Sequence, residues 1–333
     1  MIDAAPQPIL DLIEGFRRSK VMFTAVSLGV FELLAKGPEE AFGLSLRIGA
    51  SEDTTARLLD ACVSLGLLDK RGTLYSNSDM ATVYLLRGSP RTMVGYILYS
   101  DRVLYPMWGH LDDALREGTH RWKQTFGLDG ALFSHFFKTE EDKRTFLLGM
   151  HGMGQLSSPA VASAFDLAGY RRVVDLGGAT GHLAMAIAER YPEMEAAVFD
   201  LPEVIEYARE FTADSRVDLL AGDFFADALP EADLYTLGRI LHDWSEDKIE
   251  RLLARVYAAL PAGGALLVAE KLLHEDLAGP ASAHMQSLNM LICTEGRERS
   301  FAQYAELLSQ AGFGEVRGEF TNTPLDAVLA IKK

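Results

Sequence analysis

The residues with the clearest potential for chemistry begin in one glycine-rich segment, Val173-Val-Asp-Leu-Gly-Gly-Ala-Thr-Gly-His182. An apolar run typical of a strand leads into a glycine turn and then a helical pattern, and ligands of open α/β sheets bind at such carboxyl strand ends. Asp175 can accept hydrogen bonds from a ligand or brace the loop, while Gly177 and Gly181 let the backbone approach closely. The spacing fits neither the GxGxxG dinucleotide fingerprint nor a Walker sequence. Taken alone, the segment could be only a tight turn.

Two further acids follow the next two predicted strands. Asp200 ends the second strand, where an acid can accept both hydroxyls of a ribose. Asp223 lies just past the third strand beside Phe224 and Phe225, and a carboxylate next to aromatic rings suits an adenine ring. Each acid alone could be a solvated turn residue, but three at successive strand ends indicate an adenosine ligand. Since no phosphate-binding sequence is present, that ligand is predicted to be S-adenosylmethionine.

A histidine, His242, follows the fourth predicted strand and is a candidate general base. Methyl transfer from a sulfonium to a hydroxyl is an in-line displacement, and a neutral imidazole with a reference pKa of ~6.5 can take the hydroxyl proton. The alternative is a surface or capping histidine. We expect no metal, because the sulfonium carries its own charge and none of the 8 histidines pairs at a zinc-site spacing.

The elements that would position these residues alternate between strands and helices from Tyr170 onward. Such alternation indicates an α/β domain with a parallel sheet and helices on both faces. A well-patterned helix is predicted after Ser245, with Ile249, Leu252 and Leu253 on its buried face. The predicted strands are Val173–Leu176, Ala196–Phe199, Val217–Leu220, Leu234–Leu237 and Ala265–Ala269.

The N-terminal third is predicted to be helical, with apolar residues at helical spacing in two groups: Ile9, Leu12, Ile13, Phe16, and Val26, Val30, Leu33, Leu34. A further helix opens at Ser51, and a short hairpin turning at Arg71-Gly72 follows it. This is a winged-helix pattern, which often binds DNA. The candidate recognition helix carries only Arg57 as a basic residue, so we favour a packing or dimerisation module. Residues 91–165 also have helical patterns.

Composition limits the classes of protein to which the chain can belong. The chain has 32 Lys and Arg residues and 47 Asp and Glu residues, and the resulting net charge of −15 disfavours a nucleic-acid or anionic-membrane binder. Hydrophobic residues make up 48%, which is ordinary for a globular chain of 333 residues. The two cysteines cannot form a disulfide framework, and the start lacks a basic run. We therefore expect a cytoplasmic protein without a signal sequence or a membrane span.

Several motifs together resemble the S-adenosylmethionine-dependent small-molecule O-methyltransferases, a family that includes the plant caffeic-acid enzymes. They are the glycine segment, Phe199-Asp-Leu-Pro202, Gly222-Asp-Phe-Phe225 and Arg239-Ile-Leu-His-Asp-Trp244. The most similar branch is that of the acetylserotonin O-methyltransferases, through Ser287-Leu-Asn-Met-Leu291, Thr294-Glu-Gly-Arg-Glu-Arg299 and the ending Leu325-Asp-Ala-Val-Leu-Ala330. The resemblance covers essentially the whole chain.

This resemblance implies a Rossmann-like catalytic domain of mixed sheet and a mainly helical, winged-helix N-terminal domain that forms a homodimer. The expected division is a dimerisation domain at 1–100, a helical linker contributing to the substrate pocket at 101–165 and a cofactor-binding catalytic domain at 166–333. By motif match, the residues that bind S-adenosylmethionine are Phe137, Asp175, Gly177, Gly178, Gly181, Asp200, Leu201, Asp223, Phe224 and Arg239. Two positions depart from the family. Ala179 replaces a common glycine and is tolerable if its φ is negative, and Gly154 stands where the mammalian branch has a tryptophan.

The resemblance also implies the catalytic and acceptor-binding residues. Glu270 and Glu298 match two acids that flank the catalytic histidine, although Glu270 could be a solvated strand end and Glu298 could pair with its neighbouring arginines. A carboxylate on the far imidazole nitrogen fixes the tautomer and stabilises the imidazolium. Cys293 stands where the mammalian enzymes have glutamine, so indole specificity does not carry over. The predicted acceptor-binding residues are Met150, Asp243, Met285, Asn289 and Cys293, a largely apolar set suited to a flat aromatic molecule.

Three hypotheses remain open from the sequence. The first is an O-methyltransferase acting on a phenolic or other aromatic hydroxyl of a small molecule, with His242 as base. The second is a family member that binds S-adenosylmethionine without methylating and works as a hydroxylase, decarboxylase or pericyclase. The third is an S-adenosylmethionine-binding regulator whose winged helix binds DNA. The histidine with its two glutamates argues against the second, and the acidic charge argues against the third.

Overall fold

The computed structural model describes residues 6–130 and 136–333, which form two compact units that divide between Val103 and Leu104. The predicted three-part division of the chain stays a prediction. The helices are α1 Gln7–Ser27, α2 Val30–Leu34, α3 Ala41–Ile48, α4 Glu52–Ser64, α5 Asp79–Tyr84, α6 Val94–Tyr99, α7 Tyr105–Trp108, α8 Leu111–Glu117, α9 Trp122–Phe126, α10 Glu140–Ser163, α11 His182–Arg190, α12 Pro202–Thr212, α13 Glu246–Ala259, α14 Ala281–Cys293 and α15 Phe301–Gln310. The strands are β1 Glu39–Glu40, β2 Leu68–Arg71, β3 Leu74–Asn77, β4 Arg172–Leu176, β5 Glu195–Asp200, β6 Val217–Ala221, β7 Leu234–Gly238, β8 Ala265–Glu270, β9 Leu272–Leu273, β10 Arg299–Ser300, β11 Phe313–Glu319 and β12 Asp326–Lys332.

The first unit contains the predicted helix after Ser51 and the predicted hairpin. Ser51 caps α4 by accepting a hydrogen bond from the Thr54 N–H at 3.2 Å, and the helix buries Leu59 completely. The hairpin turns one residue later than predicted, because Arg71 pairs with Leu74. Strand β1 adds to β3, which gives the three-stranded sheet of a winged-helix pattern.

Helix α1 ends earlier than its apolar pattern predicts. It stops at Ser27, and Gly29 adopts a left-handed conformation before α2 begins. Val26 and Val30 therefore lie on two different helices, and the expectation of one continuous helical stripe through them is wrong. A left-handed residue ends an α-helix because it breaks the repeating backbone geometry.

The N-terminal part of α1 is helical as predicted, but its apolar face does not pack inside the described chain. Leu12 is 82% exposed, and its three partners in the pattern are each more than half exposed. We call the four residues the α1 apolar stripe: Ile9, Leu12, Ile13 and Phe16.

A seven-stranded sheet forms the centre of the second unit, in the order β11-β12-β8-β7-β4-β5-β6. The five predicted strands are confirmed, and they run parallel to one another. The expectation of a wholly parallel sheet is wrong at one side, where β12 pairs antiparallel with β8 and β11 pairs antiparallel with β12. A short connection joins β11 to β12, whereas parallel pairing would need a long crossover. The mixed sheet implied by the family resemblance is thus confirmed.

Packing against this sheet explains where the helices form. The predicted helix after Ser245 is α13, and its buried face contains Ile249, Leu252, Leu253 and Val256. Burying each such side chain contributes roughly 1.5–3 kcal/mol. Because β4, β5, β7 and β8 run in the same direction, their carboxyl ends lie at one edge, where the predicted site residues follow them.

The expectation about membranes concerns the whole chain, and the structure addresses part of it. Over residues 6–130 and 136–333, no helix is both long and apolar enough to cross a membrane. Residues 1–5, on which the expectation about a signal sequence rests, lie outside the described residues.

Candidate active site

His242 lies in a short 3-10 turn after β7, and its side chain is buried. Its Nδ1 atom is 2.6 Å from Glu298 Oε1 and 3.1 Å from Glu270 Oε2, while its Nε2 atom is 3.7 Å from Asp243 Oδ1. One ring nitrogen is therefore held between two carboxylates, and the other faces the acid that follows in the chain. This arrangement orients the imidazole and leaves Nε2 as the nitrogen that can exchange a proton with a ligand.

Glu270 holds the turn as well as the ring. Its Oε1 atom accepts hydrogen bonds from the backbone N–H groups of Ile240 and Leu241, at 3.0 and 2.9 Å. The residue ends β8 and is 1% exposed, so it is not the solvated strand end that the sequence left open. The same side chain thus fixes both the backbone and the ring of the candidate base.

A short parallel bridge brings the second glutamate to the site. Strand β10 pairs with β9, which places the segment after β8 beside the segment that contains Glu298. Arg297 and Arg299 both pair with Glu246, at 3.1 and 2.8 Å. Glu298 is consequently left to face His242, and the alternative pairing suggested by the sequence is wrong.

Burial and charge act in opposite directions on the histidine. Burial lowers the pKa of His242, but the charges of Glu270, Glu298 and Asp243 outweigh it and raise the pKa to about 10. Burial raises the pKa of Asp243 to about 6 and also raises the pKa of Glu270. The imidazole is therefore protonated near neutral pH, and the carboxylates around it stabilise its positive charge.

The geometry of this cluster is that of hydrogen bonding. Within the described residues, His242, Glu270 and Glu298 form the set whose possible metal-ligand atoms all lie within 4.8 Å of one another. The 2.6 Å separation of His242 Nδ1 and Glu298 Oε1 is a hydrogen-bond distance. It is shorter than the ~3.3 Å between two ligands placed tetrahedrally around one zinc ion. The contacts fit an oriented imidazole better than a metal centre.

The glycine segment forms the predicted turn between β4 and α11. Gly177 and Gly181 have φ values of +69° and +80°, a region that favours glycine. Asp175 is buried beneath the loop, where its Oδ1 atom accepts a hydrogen bond from Thr236 Oγ1 at 2.5 Å and its Oδ2 atom lies against Gly178. Burial raises the pKa of Asp175 to about 7. These contacts favour a bracing role for Asp175, which was one of the two roles that the sequence left open.

Asp200 connects the loop to the end of β5. Its Oδ2 atom accepts a hydrogen bond from the Ala179 N–H at 2.8 Å, and its Oδ1 atom accepts one from the Leu201 N–H at 2.7 Å. Each oxygen retains a second lone pair for a ligand hydroxyl. The expectation of a negative φ at Ala179, under which alanine is readily tolerated, is wrong, since its φ is +50°. The loop directs this N–H toward Asp200, and alanine takes the left-handed conformation there at a cost of about 1–2 kcal/mol.

The aromatic residues of the predicted cofactor site lie in two places. Phe224 lies against the glycine loop, because a Cβ atom at Gly177 would be 3.2 Å from its ring. Asp223 Oδ1 accepts a hydrogen bond from the Phe225 N–H at 2.7 Å, which fixes the turn after β6. Phe137 precedes α10 and lies edge-on to a phenylalanine of that helix, with ring centroids 6.0 Å apart.

Arg239 gives a direct indication of a ligand. The residue has a φ of +57°, and its N–H donates to the Ala269 carbonyl at 3.0 Å. Its Nε and Nη2 atoms are buried and have no hydrogen-bond partner in the part of the chain that the structure describes. Buried donors without partners are rare, so an anionic group fits this position. The carboxylate of S-adenosylmethionine is such a group.

Two of the residues on α14 that are predicted to bind the methyl acceptor already form hydrogen bonds within the chain. Asn289 is buried, and its Oδ1 atom accepts a hydrogen bond from Trp108 Nε1 at 3.0 Å. Cys293 Sγ donates to the Asn289 carbonyl at 2.9 Å, and the Cys293 carbonyl accepts a hydrogen bond from Trp122 Nε1 at 2.9 Å. Burial raises the pKa of the Cys293 thiol. These contacts tie α14 to α7 and α9.

Met150 and Met285 differ in their surroundings. Met150 is half-buried on α10, whereas Met285 on α14 is 51% exposed. Sequence patterns did not predict that Trp108 and Trp122 hold α14 in place. The two tryptophans could have indicated these contacts, because the N–H group of a buried indole needs a hydrogen-bond acceptor.

Comparisons with known proteins agree with this geometry. Residues 108–314 match the O-methyltransferase domain family, and residues 10–87 match the O-methyltransferase dimerisation domain. Acetylserotonin O-methyltransferase of Bos taurus is 46% identical over 328 residues, covering 96% of this chain and 95% of the relative. The structure of human N-acetylserotonin methyltransferase in complex with SAM is 40% identical, with a TM-score of 0.95 over 99% of this chain and 98% of that one. PigF with SAH is 29% identical, with a TM-score of 0.90 over 99% and 100%.

The family domain spans well over half of the chain, and the similar proteins are matched over nearly their full length. The motifs that carried the resemblance lie where the fold brings the strand ends, the glycine loop and the buried histidine together. This chain therefore belongs to the O-methyltransferase family and is an S-adenosylmethionine-dependent methyltransferase.

Proposed function

We propose that this enzyme transfers the methyl group of S-adenosylmethionine to a phenolic hydroxyl of a small aromatic molecule, with His242 as the general base. The observation that carries the proposal is the buried imidazole whose Nδ1 atom lies 2.6 Å from Glu298 and 3.1 Å from Glu270. A base held in one orientation suits a reaction whose acceptor must lose its proton as the new bond forms.

The cofactor supplies an electrophilic methyl group on a positively charged sulfonium. The residues proposed to hold it surround the glycine loop. Arg239 offers unpaired donors to a carboxylate, Asp200 offers lone pairs to ribose hydroxyls, and Phe224 offers an aromatic face to an adenine ring. The proposed set also includes Leu201, Asp223 and Phe137.

The charge balance at His242 decides when the base can act. In the free protein the acids hold the imidazole in its protonated form, because its pKa is raised to about 10. A neighbouring positive charge lowers the pKa of an imidazole, so a bound sulfonium favours the neutral base. During transfer Nε2 takes the hydroxyl proton, and Glu298 and Glu270 stabilise the resulting imidazolium.

The acceptor is proposed to lie between Asp243 and α14, with Met150 and Met285 as apolar contacts. Relatives are named for acetylserotonin, so an indole or phenol of similar size is the class to test first. Asn289 already accepts a hydrogen bond from a tryptophan indole, and Cys293 offers a buried thiol in place of an amide. We therefore expect a preference for acceptors without a strongly polar tail at this end.

A homodimer formed through the N-terminal domain is part of the proposal. Residues 10–87 match a dimerisation domain, and the α1 apolar stripe presents four large apolar side chains that remain exposed in one chain. Contiguous apolar patches of this kind mark protein interfaces.

The decisive experiment is a calorimetric titration of the purified protein with S-adenosylmethionine and S-adenosylhomocysteine, followed by a mass-spectrometric screen of phenols and indoles that includes N-acetylserotonin. Binding with a mass gain of one methyl group on a hydroxyl supports the proposal. Binding without product on a broad panel favours the non-methylating alternative. A folded protein that binds neither ligand would contradict the proposed cofactor site.

A further inference from the structure

The imidazole of His182 lies directly against Gly154, a contact between the first residue of α11 and the middle of α10. A Cβ atom built on Gly154 would be 2.4 Å from both Cγ and Cδ2 of the ring and 2.5 Å from Cε1. Such similar distances to three ring atoms place the ring face-on over the glycine. The side chain of His182 therefore fills the space that any side chain at residue 154 would need.

Hydrogen bonds hold the two segments together on either side of this contact. His182 Nδ1 lies 2.9 Å from Ser158 Oγ, about one turn further along α10. His151 Nδ1 lies 2.8 Å from Thr180 Oγ1, and the His151 ring packs against a phenylalanine of α12 with centroids 4.4 Å apart. Thr180 and His182 flank Gly181, so α10 is attached on both sides of the glycine that ends the loop.

We infer that His182 is a cofactor-positioning residue: by filling the space beside Gly154 and binding Ser158, it fixes α10 against the glycine loop and sets the width of the pocket for the methionine half of S-adenosylmethionine. This inference rests on the proposed function, because it takes the glycine loop to be the cofactor site. His182 takes no part in the proposed proton transfer, so its role is distinct from that of His242.

The electrostatics of the two histidines fit a place beside a cation. Burial lowers the pKa of His182 to about 3 and the pKa of His151 to about 4, so both rings are neutral at physiological pH. The positive charge of Arg239 acts on His182 in the same direction. A neutral ring can lie next to a sulfonium without repelling it, whereas a protonated ring at the same place would repel it.

The test compares variants of the full-length protein by calorimetric titration with S-adenosylmethionine and by steady-state kinetics. His182→Ala removes the ring and its bond to Ser158, and we expect the Kd and KM for S-adenosylmethionine to rise about tenfold. The kcat and the KM for the acceptor should change by less than about threefold, because uniform binding is lost rather than transition-state binding. His182→Asn, whose amide can bind Ser158, should recover part of the affinity.

A second pair of variants tests the contact itself. Gly154→Ala places a methyl group where the ring lies and should weaken S-adenosylmethionine binding. Combining Gly154→Ala with His182→Ala removes the clash, so the double variant should bind more tightly than Gly154→Ala alone. Gly15→Ala is the matched control, since a Cβ atom there meets nothing within 4 Å.

The outcomes separate the inference from the proposed function. If the wild-type protein binds S-adenosylmethionine and both single variants bind it equally well, the inference is wrong. The His182 variants could instead lower the thermal midpoint and kcat and leave the KM for S-adenosylmethionine unchanged. That result would contradict the inference and show that His182 has only a structural role. If Gly154→Ala fails to fold, the comparison of His182→Ala with His182→Asn decides alone. Wild-type protein that does not bind would overturn the proposed function and this inference with it.

Discussion

Glu298 places its Oε1 atom 2.6 Å from His242 Nδ1, although 56 residues separate the two in the chain. Its neighbours Arg297 and Arg299 pair with Glu246, so these two cations do not compete with the imidazole for this carboxylate. The orientation of the proposed base is therefore set by a segment that follows α14, well beyond the strand that carries the base itself.

Replacing this carboxylate should change the pH dependence of the reaction. The base must be neutral to act, and the neighbouring acids raise the pKa of His242 to about 10 in the free protein, so kcat/KM should rise with pH until it levels off near pH 10. Glu298→Gln removes one of the charges that raise the pKa, and the rising limb should move about 1–3 pH units lower. Glu295→Gln, which removes the acid paired with Lys248, is the control. An unshifted limb in Glu298→Gln would show that this carboxylate does not set the pKa.

His242→Ala should separate chemistry from cofactor binding. Loss of a general base lowers kcat by roughly 10²–10⁴-fold. Affinity for S-adenosylmethionine should not fall, because the ring is held by Glu270 and Glu298 rather than by the proposed cofactor residues, and removing its positive charge relieves repulsion of the sulfonium. Turnover and calorimetry measure the two effects, with His284→Ala on α14 as the control. A rate near that of wild type with a good acceptor would mean that another group takes the proton.

Asp200 should make the affinity for S-adenosylmethionine depend on pH. Burial raises the pKa of Asp200 to about 6, and the ionised form is the better acceptor for ribose hydroxyls. Since protonation below that pKa removes acceptor capacity, affinity should increase from about pH 5 to about pH 7 and then level off. Asp200→Asn should flatten this rise and weaken binding above the pKa by roughly tenfold or more. Asp218→Asn, which changes an exposed acid on β6, is the control and should leave the affinity and its pH dependence unchanged. If the affinity of Asp200→Asn still rises from pH 5 to pH 7, another group causes the pH dependence.

Ala179→Gly should stabilise the protein slightly. The alanine has a φ of +50°, and relieving a left-handed conformation gains about 1–2 kcal/mol. Glycine also lowers the free energy of unfolding by about 0.5–1 kcal/mol, because it makes the unfolded chain more flexible. The thermal midpoint should therefore rise by up to a few degrees. Ala254→Gly on the exposed side of α13 should lower it, and a fall in both variants would show that the left-handed backbone carries no strain.

Sequence patterns were sufficient for the parallel core and the loop. The five strands of the parallel core are apolar runs bounded by turns, a pattern strong enough to locate them. Strand β11 was missed because Phe313–Glu319 contains two glycines and three charged residues and lies at the sheet edge. Strand β12 was noticed only as a family motif, although its apolar run is almost entirely buried.

The rest of the site depends on contacts that no local pattern contains. The sign of φ at Ala179 follows from its hydrogen bond to Asp200, which is 21 residues away. Trp108 reaches Asn289 across 181 residues, and only the packing of α7 on α14 brings them together. Residue types and family motifs identified Glu298 as a candidate, but the choice between His242 and the neighbouring arginines required the folded chain.

The proposed homodimer would cover the α1 apolar stripe, and the stability of the protein would then depend on its concentration. A surface that is covered only in an assembly contributes its free energy through mass action, so the folded state is favoured as concentration rises. The thermal midpoint should fall when the protein is diluted about a hundredfold, and Leu12→Glu should abolish that dependence. A thermal midpoint that is the same at every concentration would mean that the stripe remains exposed to solvent and forms no interface. Where the midpoint does fall, an activity measured at the low enzyme concentration of an assay reflects the fraction of assembled chains as well as the chemistry of each site.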